Sequence, residues 1–146
     1  MRHIVSVAFA IVVAGFLACP GPAAAVDLMK GRTDLPELVL GNEEGNDYAV
    51  SQKEIELESG KSYRLSITSK GGKEYKFFAP DFFGNTWIHQ IVINHLEVHM
   101  QGAPRHLEFD DQGTINVEFV AIRPGQYPWY VQGYESRGMT GKFIVK

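Results

Sequence analysis

The stretch that most restricts the fold is Gly125–Val145, GQYPWYVQGYESRGMTGKFIV. Pro124-Gly125 makes a turn, and an aromatic strand follows with Tyr127, Trp129, Tyr130 and Val131. A loop around Gly133 and Gly138 then returns through Met139 and Gly141 into a closing strand, Lys142–Val145. Two runs rich in aromatic and β-branched residues, joined by a glycine-bearing loop, form a hairpin that holds its loop at one end of a β-domain. One face of such a hairpin is apolar, so other strands must cover it.

The rest of the chain supplies them. Ile55 and Leu57 alternate with Glu54, Glu56 and Glu58, the mark of a strand with one wet face. After the turn Ser59-Gly60-Lys61, Tyr63, Leu65 and Ile67 alternate with Arg64, Ser66 and Thr68. Tyr48-Ala49-Val50 is a candidate first strand, and Tyr75–Ala79 is extended and aromatic up to Pro80. Trp87–Ile93 is apolar and β-branched, which fits a buried strand or, alternatively, a short helix. Leu96, Val98 and Met100 alternate with His95, Glu97 and His99. Leu107 and Phe109 precede the turn Asp110–Gly113, and Ile115–Ile122 is a further strand. Roughly six to eight short strands with no long helical period predict an all-β fold, a single Greek-key β-sandwich or barrel.

Residues 1–25 read as a cleaved secretory signal. Arg2 and His3 form a basic start, Ile4–Ala18 is an apolar run, and Ala23-Ala24-Ala25 is an A-x-A-like cleavage site. Roughly 15 apolar residues are fewer than a bilayer span needs. Phe16-Leu17-Ala18-Cys19 loosely resembles a lipobox, so lipidation of Cys19 is the competing reading. The expectation is therefore a signal at 1–25, a lead-in segment at 26–47 with one short apolar run (Leu38-Val39-Leu40), and a β-domain at 48–146. Export points to the periplasm, with no membrane span in the mature chain.

Cys19 is the only cysteine of the 146 residues, so the chain after the signal has no thiol. A formal charge of −3 without a basic stripe excludes nucleic acid as an expected partner. There is no G-x-S-x-G, no H-E-x-x-H and no phosphate-cradling glycine loop, and Asp110-Asp111 sit in a turn where they cap their own backbone. Nothing here predicts an enzyme.

The hairpin spacing resembles the copper-binding hairpin of the cupredoxins, the plastocyanin and azurin family, which reads G-x-Y-x-F-x-C-x-x-H-x-x-x-x-M-x-G. On this chain the frame runs without a gap through Gly125, Tyr127 and Trp129, then Val131 at the Cys, Tyr134 at the His, Met139 at the Met, and Gly141. Ile55-x-Leu57-x-x-Gly60-x-x-Tyr63-x-Leu65-x-Ile67 is similar to the family's early strand pair, and the resemblance covers about residues 48 to 146. The family's first copper-binding His falls on Glu74 or Tyr75.

A type 1 centre needs a Cys thiolate and two imidazoles with a weak axial Met. Without a thiol after the signal, that centre and its electron transfer are excluded. Beside a third, in which the aromatic end of the barrel is a docking face for another exported protein, two readings of the vacated position follow. In one, Glu74 or Tyr75, Tyr134 and Met139 hold copper or another transition ion through carboxylate, phenol and thioether atoms. In the other, Tyr75, Trp129, Tyr130, Val131 and Tyr134 fill the space and Met139 packs among their rings. The resemblance implies a role in binding or handling a metal, copper first, or in serving a periplasmic metalloprotein system. The alternative is a metal-free interaction module that docks another periplasmic protein. Separately, His95, Glu97 and His99 share a face if their segment is a strand. Neighbours two apart, about 6.6 Å, can share an ion there, whereas residues four apart, about 13 Å, cannot.

Overall fold

The computed structural model describes residues 27–146, and the signal at 1–25 and Cys19 lie outside the described residues. Among the described residues, eleven strands form two facing sheets. In chain order they are β1 (Thr33–Asp34), β2 (Leu38–Leu40), β3 (Glu54–Leu57), β4 (Ser62–Ser69), β5 (Tyr75–Phe78), β6 (Thr86–Ile93), β7 (Leu96–Val98), β8 (Leu107–Phe109), β9 (Gly113–Ala121), β10 (Gly125–Val131) and β11 (Thr140–Val145). The first sheet runs β1-β4-β9-β6-β7, with β2 on the same edge of β4 as β1; the second runs β3-β11-β10-β5-β8. β1 and β2 pair with β4 in parallel, as β3 does with β11, and the other pairings are antiparallel.

Period-2 alternation places the core. Tyr63, Leu65 and Ile67 lie directly across from Phe119, Val117 and Ile115, so three apolar pairs line one face of the first sheet. Phe143 and Val145 sit beside Ile55 and Leu57 on the facing sheet, all four buried. A short helix, α1 (Pro80–Gly84), joins the layers. Its Phe82 stacks on Phe143 at 3.9 Å between centroids and meets Phe119 edge-on at 5.3 Å. The alternation reading did not anticipate α1. Its signal was Pro80 at the first helical position with Asp81 in the first turn, where a missing N–H costs nothing and an acid favours the helix N-terminus.

Three local expectations change. Tyr48-Ala49-Val50 forms no strand and contributes only an isolated bridge from Val50 to Leu40. The lead-in run Leu38–Leu40 is instead an edge strand whose two leucines are fully buried. Of the alternating apolar side chains after Asn94, Leu96 and Val98 are exposed and only Met100 packs against the core. Across the sheet the row Ile67, Ile115, Ile93, Leu96 is 0, 7, 38 and 71% exposed, so the covering layer ends short of the β7 edge.

Candidate functional site

The loop between β10 and β11 is closed by its own backbone. Val131 N–H donates to the Met139 carbonyl at 2.9 Å, Tyr134 N–H to Val131 at 3.0 Å, and Met139 N–H to Tyr134 at 3.3 Å. A 3₁₀ turn (Glu135–Arg137) fills the bend, and Gly138 caps it in the left-handed region. Strand registry thus brings Val131, Tyr134 and Met139 together, as the frame implied. The preceding strand pair fixes the rest. Trp129 lies opposite Gly141 and stacks its indole there, where a Cβ would fall 2.5 Å from Cε2, so the backbone position admits only glycine. The ring also packs on Phe77 at 5.5 Å.

Tyr75, on β5, is the inward residue facing this loop; its ring meets Tyr134 edge-on at 6.1 Å. Tyr134 in turn meets Tyr48 at 5.3 Å, and the Arg137 guanidinium lies over the Tyr48 ring at 5.0 Å. Val131, Met139 and Tyr75 are wholly buried. The Tyr75 hydroxyl donates to the Asp47 carbonyl at 2.8 Å. Burial, then the Asp47 charge and the neighbouring Tyr134 and Tyr48, push its phenol up to about 12. A phenolate, the form that ligates a metal, is therefore disfavoured. Glu74 precedes the strand and points outward, its carboxylate 3.0 Å from the Lys76 ammonium. Of the four candidate ligands, the structure gathers Tyr75, Tyr134 and Met139 and leaves Glu74 on the opposite face. With no thiolate, no imidazole and a protonated, hydrogen-bonded phenol, these residues do not fit a type 1 copper ion; they fit each other.

The histidine set is rearranged. Asn94 and His95 have φ of 48° and 65°, the two-residue turn that closes the β6–β7 hairpin, so His95 leaves the face it was expected to share. Glu97 and His99 remain neighbours, Oε2 to Nε2 3.4 Å. His89 replaces His95 beside them. It is the extra residue of a β-bulge, inserted between Ile88 (across from Phe119) and Gln90 (across from Glu118), and its ring lies 6.2 Å from that of His99. No local spacing in the sequence signals that bulge. His106 stacks on Phe78 at 4.8 Å and meets Glu108 at 3.1 Å.

Among the described residues, Glu74, Glu108 and Asp110 are the group whose ligating atoms all lie within 4.8 Å of one another. Lys76 sits 3.0 Å from both Glu74 and Glu108, so one resident ammonium already bridges the two carboxylates. The His106 and Lys76 contacts hold the Glu108 carboxyl down at about 2. A trough of about 650 Å³ lies on the outer face of the second sheet, between Tyr130 and Pro128 on β10 and Lys53 and Glu54 at the β3 edge. Tyr130 is braced by Phe78, their rings parallel within 4° at 5.4 Å.

No protein-family model matches the chain, and no curated protein is similar to it in sequence. Solved structures are similar in shape. A laccase-like multicopper oxidase from Ochrobactrum sp. matches with a TM-score of 0.59 and 13% identity over 88% of this chain and 33% of that one. A multicopper oxidase from Campylobacter jejuni, described as a metallo-oxidase, matches at 0.56 and 8% over 84% and 32%. Plastocyanin from Dryopteris crassirhizoma matches at 0.45 and 18% over 76% and 100%. The chain spans about a third of the length of the multicopper oxidases. At these identities the likeness is one of architecture: two facing sheets with the loop-bearing hairpin at one end are a cupredoxin-like β-sandwich.

Proposed function

We propose that this chain is an exported, non-enzymatic interaction module of the periplasm, in which the position that the resemblance assigns to copper serves as packing. The observation that carries the reading is the seating of Tyr75, buried, protonated and bonded to Asp47 in the space beside Val131, Tyr134 and Met139. The same end offers a partner a half-buried pair of tyrosines, Tyr48 and Tyr134, with Arg137 laid over the first. Tyrosine and arginine are the side chains that most often dominate the centre of protein interfaces. A periplasmic metalloprotein is the partner that the fold and the compartment favour. No helix among the described residues is long and apolar enough to cross a membrane.

The test is Cu(I) affinity of the full chain and of Met139→Leu. Leucine nearly conserves volume but cannot ligate, so stability changes by less than about 1.5 kcal/mol while a thioether ligand is removed. Equal affinities, or no binding by either protein, are expected. Tight binding by the wild type that Met139→Leu weakens ten-fold would return copper to the loop and overturn the reading.

A further inference from the structure

The outer face of the first sheet carries a second set of donor groups, remote from the β10–β11 loop. The bulge at His89 adds one residue to β6 and sets its imidazole 6.2 Å from that of His99, just beyond the end of β7. Bulges of this kind re-aim a side chain at the cost of a ladder bond. The Glu97 carboxylate beside His99 is held from one side: Gln90 Nε2 donates to Glu97 Oε1 at 3.4 Å, which leaves Oε2 directed at His99. Gln90 is itself anchored, donating to Glu118 Oε2 at 3.2 Å, and Glu118 is clasped by Arg64 at 2.5 Å and Arg32 at 2.8 Å. Glu97 has no lysine or arginine partner among the described residues, in contrast to Glu74 and Glu108.

We infer that His89, Glu97 and His99 are a binding site for a divalent transition ion. Two imidazoles and a carboxylate are donors suited to Zn(II) and Cu(II) and poorly suited to the hard cations, which take oxygen ligands. Ligand bonds of about 2.0–2.2 Å require the two rings to approach more closely than their present 6.2 Å. Both rings and the carboxylate stand on exposed or half-exposed side chains, which leaves their χ angles free to rotate toward a shared ion. Three protein ligands leave further coordination positions open to water or to a donor from another molecule. His95, held in the turn, takes no part.

Trp87 lies 5.5 Å from His89 and is partly exposed, whereas Trp129 is buried in the other sheet, so Trp87 emission reports on this site alone. The experiment titrates Cu(II) into the full chain and follows tryptophan quenching in wild type and in His89→Ala, His99→Ala, His95→Ala and Trp87→Phe. Saturable quenching at one equivalent is expected, lost in Trp87→Phe. The midpoint should rise ten-fold or more in His89→Ala and in His99→Ala and stay within two-fold in His95→Ala. Zn(II) in large excess should compete and reverse the quench, since Cu(II) binds such donors more tightly. Absence of saturable quenching in the wild type, an unshifted midpoint in both His89→Ala and His99→Ala, or an equal shift in His95→Ala overturns the assignment. Met139→Leu run beside them separates this site from the hairpin loop, because a copper ion in the loop would respond to that change instead.

Discussion

Tyr75 and Gly71 fit as one joint: the phenol end of Tyr75 occupies the volume that a side chain at Gly71 would fill, while its hydroxyl is tied to the Asp47 carbonyl. Tyr75→Phe leaves a buried carbonyl without its donor, and a loss of about 1–2 kcal/mol is expected in urea unfolding. Gly71→Ala drives a methyl into the ring and should cost about 1–3 kcal/mol. The two changes share one volume, so the double variant should lose less than the sum. Strict additivity would mean that the two residues do not meet.

The raised Tyr75 phenol sets an alkaline limit. Its folded value, about 12, lies above the ordinary phenol value near 10, so between those values the unfolded chain has released a proton that the folded one retains. Stability is then fully present below about pH 10 and falls as pH rises toward 12. Tyr75→Phe should flatten that fall. A variant whose stability declines as steeply as the wild type over that range would assign the effect to other groups.

Much of this fold is legible because alternation is a local signal: Tyr63-x-Leu65-x-Ile67 and Ile55-x-Leu57 show which side is buried before any partner is known. The hairpin frame is legible for the same reason, since Trp129, Val131, Met139 and Gly141 are fixed by spacing within one loop. The joint at Tyr75 is not. Gly71 lies close by in sequence, but Asp47 is 28 residues away, and nothing around it announces that it meets Tyr75. His89 and His95 fail on a finer scale. One bulge and one two-residue turn exchange their places, and both depend on how β6 pairs with its neighbours. The exposure of Leu96 is hidden too, because alternation names a face but not how far the opposite sheet extends.

Glu118 sets the acid limit. Burial alone would raise its carboxyl, but the hydrogen bond from Arg64 and the charges of Arg32 and Arg64 outweigh it and hold it below the usual carboxylate range. A depressed folded value contributes stability that is present above about pH 4.3 and is lost as pH falls through the folded value. Glu118→Gln should remove that share of the acid limb and lower stability at pH 7 by roughly 3 kcal/mol, since two arginines lose their shared carboxylate. Arg32 precedes β1, so the variant should also loosen that edge, seen as faster amide exchange at Leu35, whose N–H donates to the Arg64 carbonyl. Unchanged exchange there would separate the ion cluster from the edge strand.

The row from Ile67 to Leu96 makes a prediction about where the core ends. All four side chains point to the same side of the first sheet, so sequence pattern alone gives them equal weight. Ile67 is wholly buried, and Ile67→Ala should cost about 2–5 kcal/mol from lost transfer energy and the cavity left behind. Leu96 is 71% exposed at the β7 edge, and Leu96→Lys should change stability by no more than about 0.5 kcal/mol. The lysine would also put a charge on an edge strand, where charge discourages pairing with another chain. Urea unfolding of the two variants decides the matter: a Leu96→Lys loss comparable to that of Ile67→Ala would show that the inner face of the hairpin is covered in solution. A small loss places the boundary of the core between Ile115 and Ile93, so that β7 carries Glu97 beyond the core while Ile88 and Ile91 hold β6 within it.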